Sequence, residues 1–331
     1  MQLTILPFAC PLISPLKLKQ SVLRHRQGHY IYFQGHSDAI GEIAPFPGLS
    51  GEGQTQVAHE LMALQIWLQD KDLNRVKVAF EEEQIPIPLS PSVEFGLGML
   101  LYPIKATSRC QALKINALFL NQTDPFTQIQ RAYAQGFRTF KIKVGFQSGI
   151  ENDIALIRQI TETYGDSLAL RLDANRSWSL ATTQEFLSHI DTNNIEYLEE
   201  PLKKNTNYTS HFPLALDETL QELSFEKVHT LFEKNLPSAL ILKPMILGWY
   251  KTLKLLKWGQ ERSLKTVISG SFESPLGWRY LCLFAQQWHP NEVHGLDTLK
   301  VYDLKLNQEM IPSATVQLEK LLLSRFQNLN I

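Results

Sequence analysis

The sequence predicts an α/β fold, a parallel (β/α)8-type barrel preceded by an α+β domain. Three observations carry this prediction. From about residue 114, eight short β-rich runs alternate with helical patterns, and eight parallel strands close a barrel. Charged residues end several of those runs at barrel-like intervals. Residues 1–100 follow a different, antiparallel pattern.

In that first part, LTILPF, HYIYFQG and AIGEIAPF read as antiparallel strands, and VAHELMALQIWLQD as a helix. The apolar N-terminus lacks a basic leader region and is broken by Pro7, Pro11 and Pro15, so it reads as a strand and a loop rather than a signal peptide. Pro86, Pro88 and Pro91 punctuate the chain before a second helical stretch from about Ser92. The expected division is an α+β domain over 1–103, a barrel over 104–302, and a segment 303–331 that completes the first domain. The amphipathic stretch VQLEKLLLSRF in that segment would return to the first domain.

The barrel runs are KINALFL (114–120), FRTFKIKV (137–144), LALRLD (168–173), IEYLE (195–199), PLALD (213–217), SALILK (238–243), KTVIS (265–269) and NEVHGL (291–296). Between them, Ile150, Ile154, Ile157, Ile160 and Tyr164 make a one-sided helical stripe, as do Val228, Leu231 and Phe232. Strand ends at 143, 173, 199, 217, 243 and 269 are spaced by 30, 26, 18, 26 and 26 residues, so KKNTNYTSHF (203–212) has room for only a stub of helix. An open doubly wound sheet is the alternative, but no Gly-rich dinucleotide fingerprint follows any strand.

The 331 residues are 44% hydrophobic and 20% charged, ordinary for a globular protein with a large core. A net charge of −1 and a pI near 6.8 argue against nucleic acid or an anionic membrane as partner. Lys251, Lys254 and Lys257 recur at helical spacing and read as a solvated face. No apolar run approaches the roughly 20 residues of a spanning helix. Cys10, Cys110 and Cys282 have neither zinc-site nor disulfide spacing, which points to a reducing cytoplasm.

The strand ends hold the chemistry. Residues i and i+2 of a strand share a face, so Lys141 and Lys143 project together while Ile142 faces away. Asp173, Glu199, Asp217 and Lys243 end later strands, at the face where barrel active sites form. The same rule favours Glu199 over Glu200, and Asp217 over Glu218. Any one of these residues fits an ordinary strand end; all six in order point to a site.

Three carboxylates suit Mg²⁺, or Mn²⁺, a hard cation with oxygen ligands. Zinc would want His or Cys, and no two of the nine histidines pair at ligand spacing; His211 and His289 read as ordinary polar residues, with His294 a minor candidate. Taking a proton next to a carboxylate makes an enediolate, which a divalent cation can neutralise as it forms. Lysine serves as base only if burial and neighbouring positive charge bring its pKa well below about 10.4. Lys141 supplies such charge to Lys143, and Lys243 stands as a second acid/base or a fixed cation.

At these residues the chain resembles the enolase superfamily, whose lysine-and-magnesium strategy is general. KxK (Lys141, Lys143), LDAN (Asp173), LEEP (Glu199), LDE (Asp217) and LKP (Lys243) resemble its muconate-lactonising-enzyme subgroup, whose fold is a modified (β/α)7β barrel behind an α+β cap. GEIAPFPGLS, PSVEFGL, ISGSFESPLG and GLDT further resemble the o-succinylbenzoate synthase family. The resemblance implies that Asp173, Glu199 and Asp217 bind Mg²⁺, that Lys143 is the acid/base, and that Lys243 stabilises the enediolate. It implies that Lys141 positions the substrate carboxylate and depresses the pKa of Lys143. Asn175 and Glu218 would support the ligands, Ser269, Gly270 and Ser271 would line the pocket near a succinyl chain, and the loop at about 14–27 would close over it.

The implied partner is a small-molecule carboxylate, and the implied reaction is syn-dehydration of 2-succinyl-6-hydroxy-2,4-cyclohexadiene-1-carboxylate to o-succinylbenzoate, in menaquinone or phylloquinone synthesis. The alternative on the same residues is a racemase of N-acylated amino acids. A dipeptide epimerase would carry DxD where this chain has GLDT. A non-catalytic metal-binding scaffold is the remaining alternative, against which the intact set of lysines and acids argues.

Overall fold

The computed structural model describes residues 1–17, 22–35, 39–105, 112–119, 124–146, 149–204, 206, 212–302 and 315–316. Cys110, His211, most of the VQLEKLLLSRF stretch, residues 18–21 of the expected closing loop and most of the expected stub at 203–212 lie outside them.

The N-terminal part is a three-stranded antiparallel sheet in the order β1 (Leu3–Lys17), β2 (Val22–Phe33), β3 (Gly41–Ile43). Strand β1 runs on through Pro7, Pro11 and Pro15, where the sequence predicted a loop. It is an edge strand, so prolines without an N–H are tolerated there, and the register shifts between Pro11 and Leu16. Three helices follow, α1 (Gln54–Leu68), α2 (Leu73–Glu81) and α3 (Pro91–Leu101). The sequence reading missed α2, although its cap was visible: the side chain of Asp72 accepts from the Arg75 amide.

Helix α3 is almost wholly buried, and glycines let it in closely. A Cβ at Gly98 would meet the Trp249 ring at 2.2 Å, and one at Gly41 would meet the Gly96 carbonyl at 2.1 Å. The α3 residue Glu94 accepts from the Tyr250 amide at 2.7 Å.

The barrel begins with one broken strand, β4 (Leu113–Ile115) and β5 (Ala117–Leu118). Parallel pairing then runs β5, β6 (Thr139–Lys143), β7 (Ala169–Asp173), β8 (Ile195–Glu199), β9 (Leu214–Leu216), β10 (Ala239–Leu242), β11 (Lys265–Ile268). The last strand, β12 (Val293–His294), pairs with β4 and is bridged to β11 through Ser269 and Gly295, which closes the ring. The two residues of β13 (Thr315–Val316) pair antiparallel with β4. Helices α4 (Pro125–Ala134), α5 (Glu151–Tyr164) and α6 (Leu180–Ser188) follow the first strands. Later connections carry α7 (Glu218–Glu222) with α8 (Phe225–Phe232), α9 (Pro244–Leu247) with α10 (Trp249–Glu261), and α11 (Pro275–Trp288). The predicted cap-and-barrel class is the observed one.

Register partners face the same side of a sheet, which sorts the barrel interior. Tyr197, Ala215, Ala239, Ile241 and Val267 form a small apolar cluster of their own inside the ring. Beneath it lies a charged floor. Arg171, fully buried, donates to Glu196 at 2.5 Å, to the Asn116 side chain at 3.0 Å and to the Val293 carbonyl at 2.8 Å.

Candidate active site

The charged residues predicted from the sequence gather at the C-terminal ends of the strands. Lys143 pairs in register with Asp173, and Asp173 with Glu199. Glu199 pairs with Ala215, two residues before Asp217, so the barrel's stagger lifts Asp217 above that row.

The Lys141 ammonium bridges two carboxylates, at 3.0 Å from Asp173 Oδ2 and 2.7 Å from Glu199 Oε1. Lys243 is ion-paired to Asp217. Among the described residues Lys143 has no carboxylate at ion-pair distance; its ammonium lies 5.4 Å from the centre of the Phe146 ring. The turn that places Phe146 is fixed: Gly145 has φ +77°, its N–H donates to Asp153 at 2.7 Å, and a Cβ there would meet Ser177 Oγ at 2.0 Å.

These surroundings push the lysines apart. Burial alone would lower Lys141, but the Asp173 and Glu199 carboxylates outweigh it and hold it well above the usual lysine value. Burial is likewise outweighed at Lys243, by Asp217. Lys143 goes the other way: burial lowers it, the nearby Asp173 carboxylate opposes this, and the Lys141 and Lys243 ammoniums add to the lowering. Burial and the neighbouring Asp173 push Glu199 well up. At Asp217 burial acts upward, yet Lys243 and Lys141 bring it below the usual carboxylate range.

Asn175 and Glu218 lie beside these acids. The Asn175 amide donates to Asp173 at 3.1 Å, and its side chain to Glu218 at 3.2 Å. Glu218 is pushed up to about 7 by burial and by Asp217 and Asp173. Two supporting roles escaped the sequence reading. Gln221, one helical turn beyond Asp217, donates to its Oδ1 at 2.8 Å. Glu200 turns away from the row and accepts from the Asp217 and Thr219 amides and from Arg176, bracing the Asp217 turn. The i, i+4 spacing flags Gln221; a brace such as Glu200 has no local signature.

Of the predicted pocket loop, Ser269 donates its N–H to the Leu242 carbonyl at 2.8 Å, beside Lys243. The Gly270 amide donates to Gly295, and the buried Ser271 hydroxyl donates to Glu273 at 2.5 Å. His294 is structural: Nδ1 accepts from the Ile268 amide, which leaves Nε2–H to donate to His289, and burial lowers its pKa to about 3.

Among the described residues no three Asp, Glu, His or Cys side chains already stand as a metal-binding cluster; the Lys141 and Lys243 ammoniums hold the acids instead. Two buried carboxylate oxygens beside these residues, Glu199 Oε2 and Glu218 Oε2, have no hydrogen-bond partner. An all-oxygen set with an orphaned, buried carboxylate oxygen fits a hard cation.

Fold and site together define an enzyme of the capped-barrel class, with lysines and acids at the strand ends. Residues 126–312 match the family described as enolase C-terminal domain-like, and residues 1–103 match the MenC N-terminal domain. The o-succinylbenzoate synthase of Pasteurella multocida is 30% identical over 94% of this chain and 93% of its own length, and that of Haemophilus influenzae is 28% identical over 90% of each. Among solved structures, MenC from Desulfotalea psychrophila superposes with a TM-score of 0.78 at 21% identity, over 95% of this chain and 99% of its own. The o-succinylbenzoate synthase of Thermosynechococcus elongatus, complexed with Mg in its active site, gives 0.69 at 25% identity, over 89% and 92%. The chain belongs to the enolase superfamily and, within it, to the o-succinylbenzoate synthase family.

Proposed function

We propose that the six strand-end residues carry out the reaction of that family, a hydro-lyase step of menaquinone or phylloquinone synthesis. It is the syn-dehydration of 2-succinyl-6-hydroxy-2,4-cyclohexadiene-1-carboxylate to o-succinylbenzoate. The observation that carries the assignment is the difference between the lysines. Lys141 and Lys243 are tied to carboxylates, and Lys143 is not.

Lys143 is then the general base, because burial favours its neutral amine while its neighbours stay ammonium. It takes the proton α to the ring carboxylate. As an ammonium it returns that proton to the departing hydroxyl on the same face, so the ring gains aromaticity and one water leaves. Lys141 orients the substrate carboxylate, and Lys243 stands as a fixed cation over the developing enediolate. Ser269, Gly270 and Ser271 line the succinyl end.

Asp173, Glu199 and Asp217 would hold Mg²⁺, with Mn²⁺ a substitute, and Asn175 and Glu218 would support them. When bound, the cation neutralises charge on the substrate carboxylate as it becomes an enediolate.

The division into a cap over 1–103, a barrel over 104–302 and a completing segment 303–331 belongs to the same proposal, and the two family matches support its first boundary. No described helix is long and apolar enough to cross a membrane, and we place the enzyme in the cytoplasm with a small carboxylate as its partner. The dipeptide-epimerase alternative is disfavoured at Asp297, whose carboxylate is engaged by the Leu118 amide and by Lys300. A side-by-side assay of the cyclohexadiene carboxylate and N-succinyl amino acids tests the function; a higher kcat/KM for racemisation overturns it.

A further inference from the structure

The loop after β11 is held from the cap by one guanidinium. Arg26, on β2, is 1% exposed and donates to three backbone carbonyls: Ala44, Pro45 at 2.7 Å, and Phe272 at 3.1 Å. The first two belong to the cap loop after β3, the third to the barrel loop that begins at Ser269. Arg26 also lies 5.2 Å from the centre of the Phe46 ring, and Phe46 is 6.0 Å from Phe272. Phe272 has φ +58°, a left-handed conformation that a phenylalanine keeps only where its surroundings over-determine it. Its carbonyl accepts a second hydrogen bond, from the Tyr302 hydroxyl.

Both ends of that loop are pinned as well. Ser269 is hydrogen-bonded to Leu242, next to Lys243. At the far end, the cap residue Glu42 accepts from the Ser274 and Gly277 amides, each at 2.9 Å, at the start of α11. Glu42 thus also latches cap to barrel, so Arg26 is not the sole contact that docks them. Its distinct contribution is the spacing between two loops. A lysine offers one point of attachment and a methionine none, whereas the planar fork reaches all three carbonyls.

We propose that Arg26 is a positioning residue, which sets the distance between the cap loop at Ala44–Pro45 and the barrel loop at Ser269–Ser274, and thereby the acyl-chain length the pocket accepts. This rests on the assignment of Ser269–Ser271 to the succinyl end of the substrate. The residue touches no reacting atom, and its effect appears in substrate seating.

The test is steady-state kinetics on the full-length enzyme with Mg²⁺, using the succinyl substrate and its glutaryl homologue, one methylene longer. Arg26→Met is expected to raise KM for the succinyl substrate about tenfold with kcat little changed. It should also shrink the preference for succinyl over glutaryl by about tenfold, and Arg26→Lys should recover part of both. A lower melting temperature with KM and chain preference unchanged overturns the proposal. If Arg26→Met does not fold, Tyr302→Phe carries the test: KM raised about threefold at constant kcat supports it, and an unchanged KM overturns it. Ser269→Val separates the two readings. A raised KM there with a normal Arg26→Met enzyme defeats only the role of Arg26; normal KM values in both defeat the pocket assignment too.

Discussion

Lys143 and Asp173 are register partners on adjacent parallel strands, and Lys143 nevertheless forms no ion pair with it, because Lys141 takes the Asp173 carboxylate. The two lysines differ by two positions on one strand. One is neutralised by acids, the other is left beside an aromatic ring. That asymmetry is what a base next to a cation-binding site requires, since a lysine locked to a carboxylate stays an ammonium.

Lys143→Ala should therefore lower kcat by about 10²–10⁴-fold, the usual contribution of a positioned general base. Folding and Mg²⁺ affinity should be kept, as Lys143 holds no carboxylate among the described residues. Circular dichroism and a substrate-depletion assay check this. Near-native turnover would assign the base elsewhere.

The pH profile follows from the direction of the Lys143 shift. With Lys143 as the proposed base, the active form is the neutral amine, so kcat/KM should rise with pH and level off above its pKa, which burial places below that of an ordinary lysine. Lys141 contributes to that lowering, so Lys141→Met should move the rising limb to higher pH. A limb that stays put, or moves down, would show that the limb reports another group.

Chelation tests the carboxylates. EDTA should stop turnover, and Mg²⁺ or Mn²⁺ should restore it. Binding should also register without substrate, because a ligand at about 100 times its Kd stabilises the folded state by about 2.7 kcal/mol. A melting temperature that rises with Mg²⁺ in the wild type and not in Asp217→Asn is the expected result. Indifference of both turnover and melting would remove Asp173, Glu199 and Asp217 as ligands.

Much of this was legible because strand periodicity fixes facing. The period of two chose Glu199 over Glu200 and put Lys141 beside Lys143; in the structure Glu199 meets Lys141, and Glu200 braces the Asp217 turn from behind. What escaped depended on partners remote in sequence. Arg26 meets Phe272 across 246 positions, and nothing near either residue announces the contact. The long run of β1 escaped for a related reason: its prolines break a central strand but not an edge, and edge or centre is decided by the whole sheet.

The barrel floor gives a prediction that separates stability from chemistry. Arg171 lies two residues before Asp173 and ties β7 to β8 through Glu196, to the first strand through Asn116, and to β12 through Val293 and Glu292. With β12 only two residues long, few backbone hydrogen bonds close the barrel there. Arg171→Met would leave Lys265 as the one cation on Glu196 and Glu292 among the described residues, at a cost of about 3–5 kcal/mol for a buried network deprived of one partner. The melting temperature should fall by about 10 °C, while kcat at 25 °C stays near the wild-type value. Adding Glu196→Gln should recover part of the loss, because the second change removes the charge that the first left uncompensated. Thermal melts of the wild type, both single variants and the double variant measure the coupling directly. Strict additivity would mean that Arg171 and Glu196 stabilise the barrel independently. A loss of kcat at 25 °C in a still-folded Arg171→Met would mean that the floor reaches the site through the Tyr197 layer above it.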